Sequence, residues 1–397
     1  MEDALADLQR LVRSPAPVEP VPTFMSGQIP DDLASEDARS LFLPASEVTA
    51  LEDVRYLLSE DLRFEYMDER EREAQTWRFL CMAFLAQDED HVVAFVADHA
   101  REVERLTCFF PVVHLAVSEE LALQDTRLIP TAEASVGETF TSQPQLEIAS
   151  VIAVECEGTN RQRMRDRAAQ VALHSLRVLR AGLREEHFVH DRQLRFRLGT
   201  SYWFSDGLSG WQVDADAGWG FELDANSLAR VSALPIASLP VAAKTDVERC
   251  ANRSLRWFEQ SQLAVDPVME IMLLTIALEA ILGRKSERLK GRGLALRRAV
   301  LAVKTTGHFS HPARFYLVYD KVRSVAVHGG EPPLLDRRLV DDVSWDVRLA
   351  VNQFLDLARA ENYSKRSRLL KALDNDPAVA GIEERFLPGD DSGGARS

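Results

Sequence analysis

The longest strongly apolar run in the chain is Ile271–Leu282, and written as a helix it is apolar almost all round. At 1.5 Å per residue it covers about half of a bilayer's hydrocarbon core, and it carries Glu279, so a membrane span is excluded. A helix without a polar face in a water-facing chain belongs at the centre of a helical bundle. The surrounding sequence supplies its neighbours. Helices are predicted at Thr245–Gln262, Pro267–Leu282, Gly291–Lys304, Pro312–His328 and Leu334–Glu361, with a short one at Lys365–Asp374. Their short connections suit antiparallel packing.

Upstream the character differs. Prolines 15, 17, 20, 22, 30 and 44 mark residues 1–45 as an extended N-terminal arm. From Thr49 to Arg105 the pattern is helical, with Trp77, Leu80, Cys81 and Phe84 on one side. Apolar runs at Phe109–Val117 and Glu147–Val154 read as strands, the second leading into a helix at Arg161–Leu183. The stretch Gln193–Leu223 alternates, carries Tyr202, Trp203, Phe204, Trp211, Trp219 and Phe221, and is broken by Asp-Gly and Ser-Gly turn signals, which predicts a β-meander or hairpin pair. After Pro235 and Pro240 no strand signal remains. The fold class is therefore α+β: a mixed α/β N-terminal region, with residues 46–240 as a sensor or regulatory part, followed by an all-α bundle over 241–375. The last stretch, 376–397, is expected to be a largely disordered tail.

The 62 acidic and 47 basic residues give a net charge of -15, which repels nucleic acid and anionic membranes on average. The average hides an asymmetry: residues 1–150 hold 11 basic against 30 acidic side chains, and residues 151–397 hold 36 against 32. A polyanion would therefore bind the C-terminal part. Cys81, Cys108, Cys156 and Cys250 form no CxxC pair and read as buried thiols, not as a zinc site or a disulfide framework. The opening Met1-Glu2-Asp3 lacks the features of a secretory signal, so a soluble, cytoplasmic protein is expected.

On the fourth predicted helix of the bundle, plotted at 100° per residue, Asp320, Arg323, Ser324 and His328 fall in one polar arc interrupted only by Val327. Val318, Tyr319, Val322, Val325 and Ala326 make the opposite, apolar arc. Gly329 and Gly330 stop the helix just beyond His328, at a C-terminus that favours its charged form. Arginine plus histidine is a minimal kit for cleaving RNA without a metal or cofactor. Imidazole moves the protons of the 2′-hydroxyl and the leaving 5′-oxygen, while guanidinium binds the phosphate. The competing reading of such a pair is an ordinary solvated helix face.

The surrounding residues resemble the Apea-like branch of the HEPN superfamily. The similarity runs through Ala277–Gly283 (ALEAILG), Ser286 and Glu287, Leu296–Ala299 (LRRA), Tyr319, and Arg323–Gly329 (RSVAVHG). It covers roughly residues 244–365. The resemblance implies an all-α HEPN bundle that homodimerises so that two such motifs face each other in one metal-independent endoribonuclease site, often in toxins or effectors of antiphage defence. On that reading Arg323 and His328 are the catalytic pair, with Ser324, Asp320 and Glu279 in support. Ser324 stands where many members have Asn, Asp or His, and Glu279 is read first as a structurally paired carboxylate. The acidic N-terminal half is read as a restraint released by a phage-derived activator. A non-catalytic dimerisation or RNA-binding adaptor is the alternative, and a nucleotide-sensing antitoxin-like partner is disfavoured because no nucleotide-binding loop is present.

Two basic runs add to the picture. Lys285, Arg288, Lys290, Arg292, Arg297 and Arg298, with Arg284, form a candidate phosphate track beside the motif. Arg161, Arg163, Arg165, Arg167, Arg177, Arg180 and Arg184 form a second, read as docking onto the acidic half. The aromatic strands are read as core ahead of base-stacking surface. Asp214, Asp216 and Gly218 lack the acidic twelfth position of a calcium loop, since Ala225 stands there. The pairs His187/His190 and His308/His311 are read as surface residues, and no metal site is expected.

Overall fold

A computed structural model describes residues 58–76, 98–130, 150–183, 196–210, 221–284, 287, 290–307, 311–328 and 335–386. The N-terminal arm, the Trp77, Leu80, Cys81 and Phe84 face, Trp211, Trp219, His187, His190, His308 and residues 387–397 lie outside these. The fold is α+β. Among the described residues no helix is long and apolar enough to cross a membrane.

By internal packing the chain divides into two units, Met1–Thr107 with Glu155–Ala168, and Cys108–Val154 with Ala169–Ser397. In the first, Asp61 caps a 3-10 turn at Leu62–Phe64, and Leu58, Phe64 and Met67 are buried. Thr159 accepts the Tyr66 N–H at 3.1 Å and donates to the Leu62 carbonyl at 2.7 Å. Glu65 is buried and ion-paired with Arg167, and Arg161 lies 3.3 Å from Glu104. These two arginines of the second basic run do meet acidic residues of the N-terminal half.

The strands are β1 (Glu104–Val113), β2 (Leu115–Val117), β3 (Leu121–Leu123), β4 (Thr126–Pro130), β5 (Ser150–Gly158), β6 (Arg197–Leu198), β7 (Tyr202–Phe204), β8 (Gly207–Gly210) and β9 (Phe221–Leu223). They form a sheet of order β3-β4-β5-β1-β7-β8, with β6 also on β1, and a separate parallel pair of β2 and β9. The β7–β8 hairpin turns at Ser205-Asp206, and Gly207, paired with Phe204, holds a positive φ that only glycine takes without strain. Trp203 and Phe204 are buried, and Trp203 stacks on Phe109 at 5.5 Å, so these aromatics are core.

Helix α1 (Arg161–Gly182) is followed by α2 (Ala225–Ser232), and the bundle then begins with α3 (Asp246–Leu263) and α4 (Pro267–Leu282). It continues through α5 (Lys290–Thr306), α6 (Pro312–Leu317), a π-helical segment Val318–Ser324, α7 (Val325–Val327), α8 (Arg337–Ala360), α9 (Arg366–Asp374) and α10 (Ala378–Phe386). The start signals are local. Thr245 and Glu248 form a capping box on α3, and Asp266 with Pro267 opens α4. As its composition demands, α4 is central, packing on α3, α5, α8 and the π segment. The expected tail is corrected at its start: α10 is helical, and its Ile382 is buried in the bundle core.

The boundary expected near residue 241 also moves. Val178 and Ala181 of α1 belong to the same core as α4. Arg177 Nε lies 2.5 Å from Glu259 Oε2 and Arg180 Nη1 lies 3.3 Å from Glu259 Oε1, both pairs being largely shielded from water. Arg348 of α8 donates to the Leu183 carbonyl at 3.2 Å. The change in sequence character at 241 marks a change of secondary structure, not of packing. Sheet and bundle are further tied by Gln124. Its backbone is left-handed in the β3–β4 turn, and its amide donates to the carbonyls of Ala237 (2.9 Å) and Leu239 (3.2 Å).

Two outcomes follow. A fragment of residues 241–397 loses Val178 and Ala181 from its core and both guanidiniums that meet Glu259; its thermal unfolding should be shifted sharply down or lost relative to the full chain. His174 is buried and donates to the Leu239 carbonyl at 2.8 Å, and burial holds its pKa below the ordinary 6.5. The unfolded chain then takes up this proton first, so the stabilisation is complete above 6.5 and is lost as the pH falls through that value. His174→Gln should flatten the fall in melting temperature across that window in a pH series.

Candidate functional site

The motif lies where α4, the start of α5 and the π segment meet. A π turn closes i→i+5 and delays the helical phase relative to an α-helix. The single polar arc expected for Asp320, Arg323, Ser324 and His328 is therefore not what the structure has. Arg323 is turned inward, with its side chain 21% exposed, whereas Val327 is 51% exposed and His328 is exposed too. Val325 and Ala326, placed on the apolar arc, are only half-buried.

Arg323 Nε lies 2.8 Å from Glu279 Oε1. Neither atom has a hydrogen-bond partner, so the approach is a contact of charges whose N–H does not aim at the oxygen. The guanidinium lies over the Tyr319 ring at 4.8 Å, a cation–π contact from one turn earlier in the helix. The Tyr319 hydroxyl has its pKa pushed up to about 12, first by burial and then by the Glu279 charge, with Arg323 opposing. Glu279, Tyr319 and Arg323 thus form one half-buried cluster. Glycine makes room for it: a Cβ at Gly291 would lie 2.8 Å from Tyr319 Cδ1.

The remaining expected residues separate from this cluster. His328 ends α7 as its C-cap, with its N–H donating to the Ser324 carbonyl at 3.1 Å, and its ring makes no hydrogen bond to a described residue. Asp320 lies 3.1 Å from Lys321 on the exposed side, so it pairs with its neighbour and does not orient Arg323. The Ser324 side chain is half-buried and has no partner among the described residues. Gly329 and Gly330 lie outside the described residues.

The phosphate track is corrected. Arg297 is buried and clamped between Glu287 (2.7 Å) and Asp374 (2.6 Å), and Arg298 is buried against Asp346 (2.7 Å) and Gln353 (2.8 Å). A guanidinium inside a bundle must be neutralised there, and these two are unavailable to a phosphate. Arg292 pairs with Glu383 at 2.6 Å and Arg284 with Asp374 at 2.5 Å. Lys285 and Arg288, and the side chain of Lys290, lie outside the described residues. Among the described residues no group of three or more His, Cys, Asp and Glu side chains is placed to hold a metal ion.

Tyr319 is the residue whose part in the site the helical plot missed, since it was placed in the core arc. Its signal was the spacing of four to Arg323, which puts ring and guanidinium side by side. Comparison with protein-family models, curated proteins and solved structures gives no match for this chain.

The Gly291 contact has a measurable sign. At an open helical position Gly→Ala gains up to about 1 kcal/mol. Here the added methyl must displace Tyr319, at a cost of about 1–3 kcal/mol. Gly291→Ala should lower the melting temperature and shift the tyrosine near-ultraviolet signal, and the double variant with Tyr319→Leu should recover much of the loss.

Proposed function

We propose that the chain is a metal-independent endoribonuclease of the HEPN type, acting as a toxin or effector in antiphage defence. The observation that carries the reading is one short helix that presents an exposed His328 beyond an Arg323 held in place by Glu279 and Tyr319. Arg323 binds the scissile phosphate and the charge that develops on it, and its planar group keeps donors free beyond the edge facing Glu279. His328 takes the proton of the ribose 2′-hydroxyl or returns one to the leaving 5′-oxygen. The 2′-oxygen forms a bond to phosphorus as the bond to the 5′-oxygen breaks, leaving a 2′,3′-cyclic phosphate and a 5′-hydroxyl. Two copies form a cytoplasmic homodimer that brings two motifs to one site. In support, Leu317, before the motif, and Val327, within it, are 53% and 51% exposed, apolar surface that a self-association face would cover. A phage-derived activator releases the restrained enzyme.

A second reading has its own support. Arg323 already has a counter-charge within its own chain, as a non-catalytic dimerisation or RNA-binding adaptor would need.

The test is cleavage of total tRNA and rRNA in EDTA by the full chain, His328→Ala and Arg323→Ala, with dimer mass checked for each. On the ribonuclease reading the wild type yields cyclic phosphate ends, and loss of His328 lowers the rate by about 100- to 10,000-fold. Products with a 3′-hydroxyl, activity abolished by chelation, or a fully active His328→Ala protein would each overturn it. A wild type that stays inert both in vitro and in infected cells, with its dimer intact, selects the adaptor.

A further inference from the structure

Many cations in the bundle are matched to internal partners. Arg284, Arg292, Arg297, Arg298, Lys304, Arg314, Arg323 and Arg337 each face a carboxylate. Other exposed cations, Arg338, Arg359 and Lys371 among them, make no ion pair with a described residue, and Lys244, Arg253, Arg256, Lys365 and Arg368 do not either. Lys244 precedes α3, Arg253 and Arg256 lie along its middle, and Lys365 and Arg368 lie at the start of α9.

The geometry there is that of a groove. Lys244, Thr245, Arg249, Ser364, Lys365 and Ser367 line an open cleft of about 400 Å³, together with Asp246. From the cleft, Arg249, Arg253 and Arg256 continue along α3 at spacings of four and three, one face of a helix, over about 10 Å. Trp257 flanks this stripe and is 36% exposed. Of the acids nearby, one is held by backbone N–H groups and the other is shared between a backbone N–H and Arg249. Glu248 is held by the backbone N–H groups of Lys244 (2.7 Å) and Thr245 (2.8 Å). Asp246 accepts the Arg366 N–H at 2.9 Å and lies 3.8 Å from Arg249. The helix starts are thus already capped, and what remains for a ligand is side-chain cations, hydroxyls and one indole face.

We propose that this cleft and stripe form a groove that binds the phosphodiester backbone of single-stranded RNA, with Trp257 as a platform for one base. Rows of uncompensated cations track a phosphate backbone, and an exposed ring beside them gives sequence-tolerant stacking. Selecting RNA among polyanions rests on the ribonuclease reading above. The groove shares no residue with the Arg323 and His328 motif, although Arg366, whose N–H Asp246 accepts, also reaches the Glu279 carbonyl, and it replaces the basic run at 284–298 as the surface that holds the strand.

The experiment is fluorescence-anisotropy titration of an oligouridine with the full chain carrying His328→Ala, so that cleavage cannot consume the probe. Arg253→Ala/Arg256→Ala should weaken binding about tenfold or more and reduce the slope of log affinity against log salt by about 1.4. Trp257→Ala should weaken it about five- to a hundredfold while leaving the salt slope unchanged. These positions are on the surface, and unchanged melting temperatures would show that the fold is intact. Equal binding by wild type and variants, no RNA binding at all, or binding only to phosphatidylserine vesicles would overturn the groove. The two readings separate cleanly. Arg253- and Arg256-dependent binding by a protein that never cleaves RNA keeps the groove and removes the nuclease, and His328-dependent cleavage with variant-independent binding does the reverse.

Discussion

The carboxylate of Glu259 is the point on which the second unit turns. It is buried on α3, and two guanidiniums from α1, those of Arg177 and Arg180, come to meet it. Burial lowers the pKa of Arg180 and the Glu259 charge opposes that shift, so cation and anion are tolerable there only together. Fixing α1 on α3 also sets what α1 carries. His174 and Ser175 then reach the Leu239 carbonyl and the Gln124 side chain, which couples the β3–β4 turn to the segment entering the bundle. A polar network of this kind adds little net stability compared with an apolar contact. It does specify one arrangement, because each alternative leaves a buried charge or amide unmet.

The same rule explains which parts of the fold were legible in the sequence. The bundle helices were readable because a capping box, an N1 proline and a 3.6-residue apolar period are local signals. The division of the chain was not, because Glu259 and its arginines stand about eighty positions apart. The run from Arg284 to Arg298 failed as a phosphate track for the same reason. Counted locally it has one acid, yet Asp346 is 48 positions from Arg298 and Asp374 is 77 from Arg297. Charge counted along a sequence sees only near neighbours, and burial is decided by distant ones.

At the candidate site the residue types were legible and their phase was not. Glu279 on an apolar helix had to find a partner, and Arg323 is that partner. A wheel drawn at a constant 100° assumes uninterrupted i→i+4 bonding, and Val318–Ser324 does not bond that way. Inside the π segment Arg323 rotates toward the core, and beyond it Val327 rotates toward solvent. Gly291 belongs to the same account, since nothing in its own helix reports that Tyr319 from another helix occupies the space a methyl would need.

The π segment also makes this helix a counting device. Each residue of an α-helix turns its successors by about 100°, so loss of one residue between Val318 and Ser324 would return the segment to i→i+4 bonding and leave the helix almost the same length. All eleven side chains from Val318 to His328 would keep their identity, less the one removed, while those beyond the cut changed the direction in which they face. Chain length across those seven residues, and not any one side chain, therefore sets which way Arg323 and His328 point relative to the helix before Val318. Related chains that keep both residues but differ by one position in their separation would hold the same chemistry at a different angle.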